Sequence, residues 1–174
     1  QYKYMQVILL MAITIDGKIA KTTDHLANWT SRADKKIFVE ETKKAGVIVM
    51  GETTYNTIGR PLPGRLNVVM SQAPDASKNQ LGILEFTNTQ PRELLQELAG
   101  RGFNSVILGG GATINGLFLK ENLIDEVWLT IEPKIFGDGL SLFKGADVNL
   151  DLELLEMKQL DTHVLQVRYK IKKS

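Results

Sequence analysis

Short, near-continuous apolar runs recur along the chain: Val7 to Ile13, Val47 to Met50, Leu66 to Met70, Ile83 to Phe86, Val106 to Leu108 and Val127 to Ile131. Runs of this length without polar alternation read as strands covered on both faces, and so as a largely parallel central sheet. Between them, helical spacing runs over Arg32 to Lys44, Glu52 to Ile58, Arg92 to Ala99 with Pro91 placed for the first turn, and Ala112 to Lys120. Strands alternating with helices predict an α/β domain with helices on both faces of the sheet. Near the end the period changes. Leu165, Val167, Tyr169 and Ile171 alternate with Gln166, Arg168 and Lys170, which predicts a half-exposed antiparallel edge strand, with Asp151 to Leu160 as its hairpin partner. Asp16 to Thr30 carries neither period and is long enough for a functional loop, a lid among the readings.

The composition narrows the classes. At 174 residues and 43% hydrophobic content, the chain reads as one domain over residues 1–174 with one sizeable core. Twenty-one basic against 20 acidic side chains leave a net charge of +1, too small a field to predict nucleic acid or an anionic membrane as partner. With no cysteine and two histidines, His25 and His163, thiolate and histidine-rich metal sites are excluded and no metal is expected. The longest apolar run, Val7 to Ile15, is too short for a bilayer and lacks a secretory cleavage region, so a soluble cytoplasmic protein is expected. Lysines 170, 172 and 173 oppose edge pairing by the last strand, and both monomer and homodimer stay open.

Four segments carry candidate chemistry. Leu108-Gly109-Gly110-Gly111 ends a strand and opens a helix, where backbone N–H groups can receive a phosphate; a tight structural turn explains the same triplet. Gly51-Glu52-Thr53-Thr54 repeats that grammar, with a helix cap as the simpler role for the threonines. Two such turns at strand C-termini suit the pyrophosphate of a dinucleotide. Ser31-Arg32-Ala33-Asp34 reads first as a capping box, with Ser31 as N-cap and Asp34 as the reciprocal acid. The alternative is that Asp34, among Trp29, Ile37 and Phe38, enters an apolar cleft where desolvation raises its proton affinity. Arg60-Pro61-Leu62-Pro63-Gly64-Arg65 is a proline-stiffened turn that could hold an arginine at a cleft rim to clamp a carboxylate or phosphate. Both histidines read as solvated, and the tryptophans Trp29 and Trp128 as core or cleft wall.

The run from Trp29 through Asp34 and Phe38, then Val47 to Tyr55, Ile58 to Val69 with its G-R-P-L-P-G-R-x-N stretch, Leu108 to Gly111, Leu129-Thr130 and Gly137-Asp138 resembles dihydrofolate reductase. Other segments resemble the sister reductase domain of riboflavin biosynthesis: Thr14 to Ala20, Trp29-Thr30-Ser31 and Glu132 to Gly137. The resemblance implies a dihydrofolate reductase-like fold and reduction of dihydrofolate to tetrahydrofolate with NADPH. It implies that Asp34 supports N5 protonation, with Thr130 beside it and Trp29 at the reacting centre. Ala12, Phe38, Ile58, Leu62 and Leu108 would line the pterin pocket, and Arg65 would hold the carboxylate of the folate tail. Around the cofactor it implies Ala12, Ile19, Ala20, Gly51, Glu52, Thr53, Thr54, Ser71, Gln72, Leu108, Gly110, Gly111, Ala112, Thr113 and Ile114, with Asp16 to Asn28 closing over the nicotinamide.

The chain departs from the folate pattern at Glu52, where a basic residue usually faces the 2′-phosphate of NADPH, so NADH is an alternative cofactor. Ile114 is the nearest residue to a tyrosine expected beside the nicotinamide, and Thr30-Ser31 replaces leucine-proline after Trp29. Two further functions stay open: reduction of a ribosylamino-pyrimidine phosphate held by Lys18, Arg32 or Arg65, and nucleotide binding without catalysis.

Overall fold

The computed structural model describes residues 5–173. Each apolar run becomes a strand: β1 (Gln6–Thr14), β3 (Val47–Gly51), β4 (Leu66–Met70), β5 (Leu84–Thr87), β6 (Ser105–Leu108) and β7 (Glu126–Glu132). A short β2 (Lys18–Ala20) pairs with β8 (Leu140–Ser141), and β9 (Leu152–Asp161) and β10 (Val164–Ile171) form the closing hairpin. The main sheet has eight strands in the order β5-β4-β3-β6-β1-β7-β10-β9, parallel from β5 to β7, with β10 antiparallel to β7.

The helices are α1 (Arg32–Ala45), α2 (Glu52–Ile58), α3 (Pro91–Gly100) and α4 (Ala112–Lys120). Their apolar stripes cover opposite faces. Phe38 of α1 and Tyr55 and Ile58 of α2 pack on the face of Ile48, Met50, Ile107 and Trp128. Leu94, Leu95 and Leu98 of α3 join Phe118 and Leu119 of α4 against Leu9, Val49, Val68 and Leu108 on the other. Removing each such side chain from water stabilises the fold by about 1.5–3 kcal/mol. Helix α4 lies tightly on the 142–146 segment, since Asn115 Nδ2 donates to the Leu142 carbonyl at 2.9 Å and Lys144 N donates to the Ala112 carbonyl at 3.0 Å.

The alternating C-terminal strand is not the edge. β10 lies between β7 and β9, and β9 takes the edge with Leu154 at 52% and Met157 at 64% exposure. Alternation reports one wetted face and does not say on which side the next strand lies. Among the described residues no helix is long and apolar enough to cross a membrane.

Candidate active site

Strand order places the crevice. β3 and β6 are neighbours, yet the helix after β3 leads outward to β4 while the helix after β6 leads back past β1 to β7. Connections that diverge from adjacent parallel strands leave a gap at their C-terminal ends, the usual ligand site of an open α/β sheet. Gly51 and Gly109-Gly110-Gly111 meet there. Gly51 N donates to the Gly110 carbonyl and Gly109 N to the Val49 carbonyl, both at 2.9 Å, and the Gly110–Gly111 peptide is cis.

These glycines are packed too closely by neighbouring side chains to carry a Cβ. A Cβ on Gly51 would lie 2.9 Å from Ile114 Cγ1, and one on Gly110, at φ +96°, would lie 3.1 Å from Met11 Cε. Gly111 caps α4 without a side-chain hydrogen bond, which leaves the first-turn N–H groups for an anion. Ala112 and Ile114 sit inward on that turn and Thr113 is exposed. The expected threonine cap on α2 is absent, since its N-cap is Gly51 and no side chain bonds there. Thr54 instead faces the triplet, its Oγ1 3.4 Å from where a Gly111 Cβ would stand, while Thr53 is exposed. One strand over, Ser71 Oγ, on an 8%-exposed residue, donates to Glu52 Oε2 at 2.6 Å, and Gln72 is exposed.

β1 pairs Leu9 with Leu108 of β6 on the crevice side and Ala12 with Thr130 of β7 on the other; Leu108, fully buried on the α3–α4 face, does not line a pocket with Phe38 and Ile58 as expected. Thr130 is buried, and its Oγ1 has no well-formed hydrogen bond among the described residues. Its nearness to the Asp34 carboxyl favours the ionised acid, as does Thr30, but burial outweighs both and, with Glu132 repelling it, holds the Asp34 pKa above the usual carboxylate range. Ser31 caps α1 as expected, accepting from Asp34 N at 3.1 Å. The reciprocal half of the box is a correction. Glu132, not Asp34, accepts from Ser31 N at 2.8 Å and Ser31 Oγ at 2.7 Å. Glu132 is 2% exposed and lies at the end of β7, so no spacing along the chain could have announced it.

Arg65 lies deeper than its turn suggests. It is not at a rim: at 7% exposure it lies against α1, where Nη1 donates to the Val39 carbonyl at 3.2 Å and to Thr42 Oγ1 at 3.1 Å. The turn before it is held by the motif's asparagine, whose Oδ1 accepts from Leu62 N and whose Nδ2 donates to the Leu62 carbonyl, each at 2.9 Å. That asparagine, Asn67, fully buried, also donates to the Arg65 carbonyl at 3.1 Å and so fixes the backbone from which the arginine side chain leaves.

The Asp16 to Thr30 segment is pinned from across the fold. Asp16 accepts from Gly137 N at 2.8 Å and from Phe136 N at 3.2 Å, and Thr14 Oγ1 donates to it at 2.5 Å; the Thr14 hydroxyl is the main cause that holds the Asp16 pKa below the usual range. Within it Ile19 and Ala20 lie on β2, half-buried. The Trp29 ring meets Phe136 edge-on at 5.0 Å and the His25 ring lies tilted against the same Phe136 at 5.6 Å, so His25 is not simply solvated; its Nδ1 accepts from Lys21 N at 3.0 Å. Phe136 therefore organises the loop, a role that sequence reasoning missed. A cavity of about 440 Å³ borders Trp29, Ser31, Glu132, Lys134 and His163 behind this corner.

Known proteins share this fold and parts of this sequence. Residues 62–166 match the family described as the RibD C-terminal domain. The dihydrofolate reductase of Haemophilus influenzae is 29% identical over 137 residues, 77% of each chain. A crystal structure titled "Putative riboflavin biosynthesis protein" from Shewanella sp. PV-4 has a TM-score of 0.79 at 25% identity, covering 97% of this chain and 100% of that one. The diaminohydroxyphosphoribosylaminopyrimidine deaminase/5-amino-6-(5-phosphoribosylamino)uracil reductase of Thermotoga maritima has a TM-score of 0.83 at 19% identity, and the match spans 98% of this chain and 57% of that longer one. With well over half of its length matched and the same doubly covered sheet, the chain belongs to the RibD C-terminal domain family, a dihydrofolate reductase-like group of reductases.

Proposed function

We propose that this chain reduces a carbon–nitrogen double bond of a ribosylamino-pyrimidine phosphate, with hydride from a reduced nicotinamide dinucleotide. The observation that carries the reading is the Asp34 carboxyl, released from its own helix cap and desolvated beside the buried Thr130 hydroxyl. Opening of a ribosylamine gives an imine at the first ribose carbon. A proton delivered to its nitrogen makes that carbon electron-poor, and hydride addition then yields a secondary amine. Asp34 holds that proton nearer neutral pH than an exposed carboxyl could. Thr130 would meet the heterocycle beside Asp34, while Phe38, Ile58, Leu62 and Ala12 supply apolar walls. Gly51, Gly110, Gly111 and Thr54 would hold the dinucleotide, which supplies the hydride when bound, and Ile19, Ala20 and Trp29 would shield the reacting atoms from water.

The pyrimidine substrate is supported by the family. Lys18 and Arg32 remain as candidates for the substrate phosphate. Dihydrofolate is the second reading, favoured by the Haemophilus influenzae relative, and it uses the same chemistry at a ring imine. The test is loss of reduced nicotinamide absorbance with each substrate in parallel. Turnover of the phosphorylated pyrimidine without turnover of dihydrofolate is expected. The converse moves the assignment to folate, and consumption with neither leaves nucleotide binding without catalysis.

A further inference from the structure

We propose that Glu132 is a positioning residue for Asp34: by taking the Ser31 N–H from across the fold, it turns the Asp34 carboxyl out of the α1 cap and into the site. This rests on the reading that Asp34 holds the reacting proton. In a local capping box, the acid three residues past the cap accepts the N–H of the cap residue. Here that N–H and the Ser31 hydroxyl both go to Glu132 Oε1, at 2.8 and 2.7 Å, and the hydroxyl in turn accepts from Asp34 N at 3.1 Å. The chain of bonds runs from β7 through the cap to the backbone of Asp34. Thr130 lies two residues before Glu132 on the same strand, on the same side by the period of a strand. A single rigid strand therefore sets both the hydroxyl beside Asp34 and the carboxylate that keeps Asp34 from capping.

Glu132 also acts through its charge. At 2% exposure it is little screened by solvent, and its repulsion adds to burial in favouring the protonated form of Asp34. The other charged groups around the pair are Lys35 on α1, Lys134 after β7, and Asp161 and His163 at the β9–β10 turn, the last three lining the adjoining cavity. His163 is exposed and borders the same cavity, so the test is run in a His163→Gln background.

Glu132→Gln keeps an acceptor oxygen for Ser31 but removes the charge. In the full chain, with ¹³C-labelled carboxyl groups, the NMR titration midpoint of Asp34 is expected to move to lower pH. The pH profile of the hydride-transfer rate should move with it, so that activity is lost at neutral pH and recovered on acidification. Titration curves and rate profiles that coincide with those of the parent overturn the proposal. Ser31→Ala is the second route, since it cuts the hydroxyl link while sparing the Glu132 charge: a several-fold lower kcat at unchanged KM is expected, and an unaltered kcat counts against positioning. Asp34→Asn separates the two readings. Full turnover in that variant, together with a shifted Asp34 titration in Glu132→Gln, refutes the catalytic role of Asp34 and leaves the positioning intact.

Discussion

Ser71 Oγ donates to Glu52 Oε2 at 2.6 Å, and this bond fixes a carboxylate at the first turn of α2, one strand from the glycine cradle. The resemblance places the adenosine ribose of the cofactor here. A carboxylate accepts well from a ribose 2′-hydroxyl and repels a 2′-phosphate.

NADH is accordingly expected to bind more tightly than NADPH. Fluorescence titration of both cofactors at rising ionic strength checks this, because a repulsion at an exposed carboxylate weakens with salt and the two affinities should converge. Glu52→Arg should reverse the order. Tighter NADPH binding by the parent protein at low salt would show that another group neutralises the phosphate.

Asp34→Asn should stabilise the fold while abolishing most hydride transfer. The sign follows from its raised pKa. The folded state holds the proton more tightly than the unfolded chain, so the carboxyl costs nothing below the unfolded value, and its cost grows as pH rises through the folded value. Thermal unfolding at neutral pH should show a higher Tm for the variant, with the gain vanishing near pH 3. Turnover should fall by roughly 10²–10⁴-fold, the usual worth of a general acid.

Arg65→Lys tests the inward placement of the arginine. Lysine is shorter than arginine and its ammonium falls short of the place where Nη1 meets both the Val39 carbonyl and Thr42 Oγ1, so a loss of about 1–2 kcal/mol is expected, read as a drop in Tm of a few degrees. KM for either substrate should stay unchanged. A large rise in KM for dihydrofolate alone would restore the carboxylate clamp.

Gly116→Ala should be among the most damaging single substitutions outside the site. Its new Cβ would stand 1.8 Å from the Lys144 carbonyl oxygen, which is backbone and cannot swing aside. Separation of α4 from the 142–146 segment should destabilise the protein by more than about 3 kcal/mol. Because α4 opens at Gly111, cofactor affinity should fall with it. Denaturant unfolding and cofactor titration of the same preparation read both effects.

The sheet strands and helices were legible along the chain because burial on two faces leaves long apolar runs, and helices on a sheet leave a stripe of period 3.6. The two glycine turns were legible too, since their chemistry is local to a strand end. What the chain alone could not decide was every relation between distant segments. Alternation in β10 reported a wet face and not an edge, and β9, which follows no clean period, took the edge. The capping box named Ser31 and Asp34 because they are three residues apart, but the partner that won is Glu132, 101 positions away on another strand. Arg65 read as a rim clamp from its proline turn, and the packing of α1 on the sheet set it against Val39 and Thr42. Spacing specifies which groups a single turn of backbone can bring together. Which of several competing donors a buried carboxylate meets depends on strand register, because a buried polar group takes the partner that the packed fold brings within 3 Å.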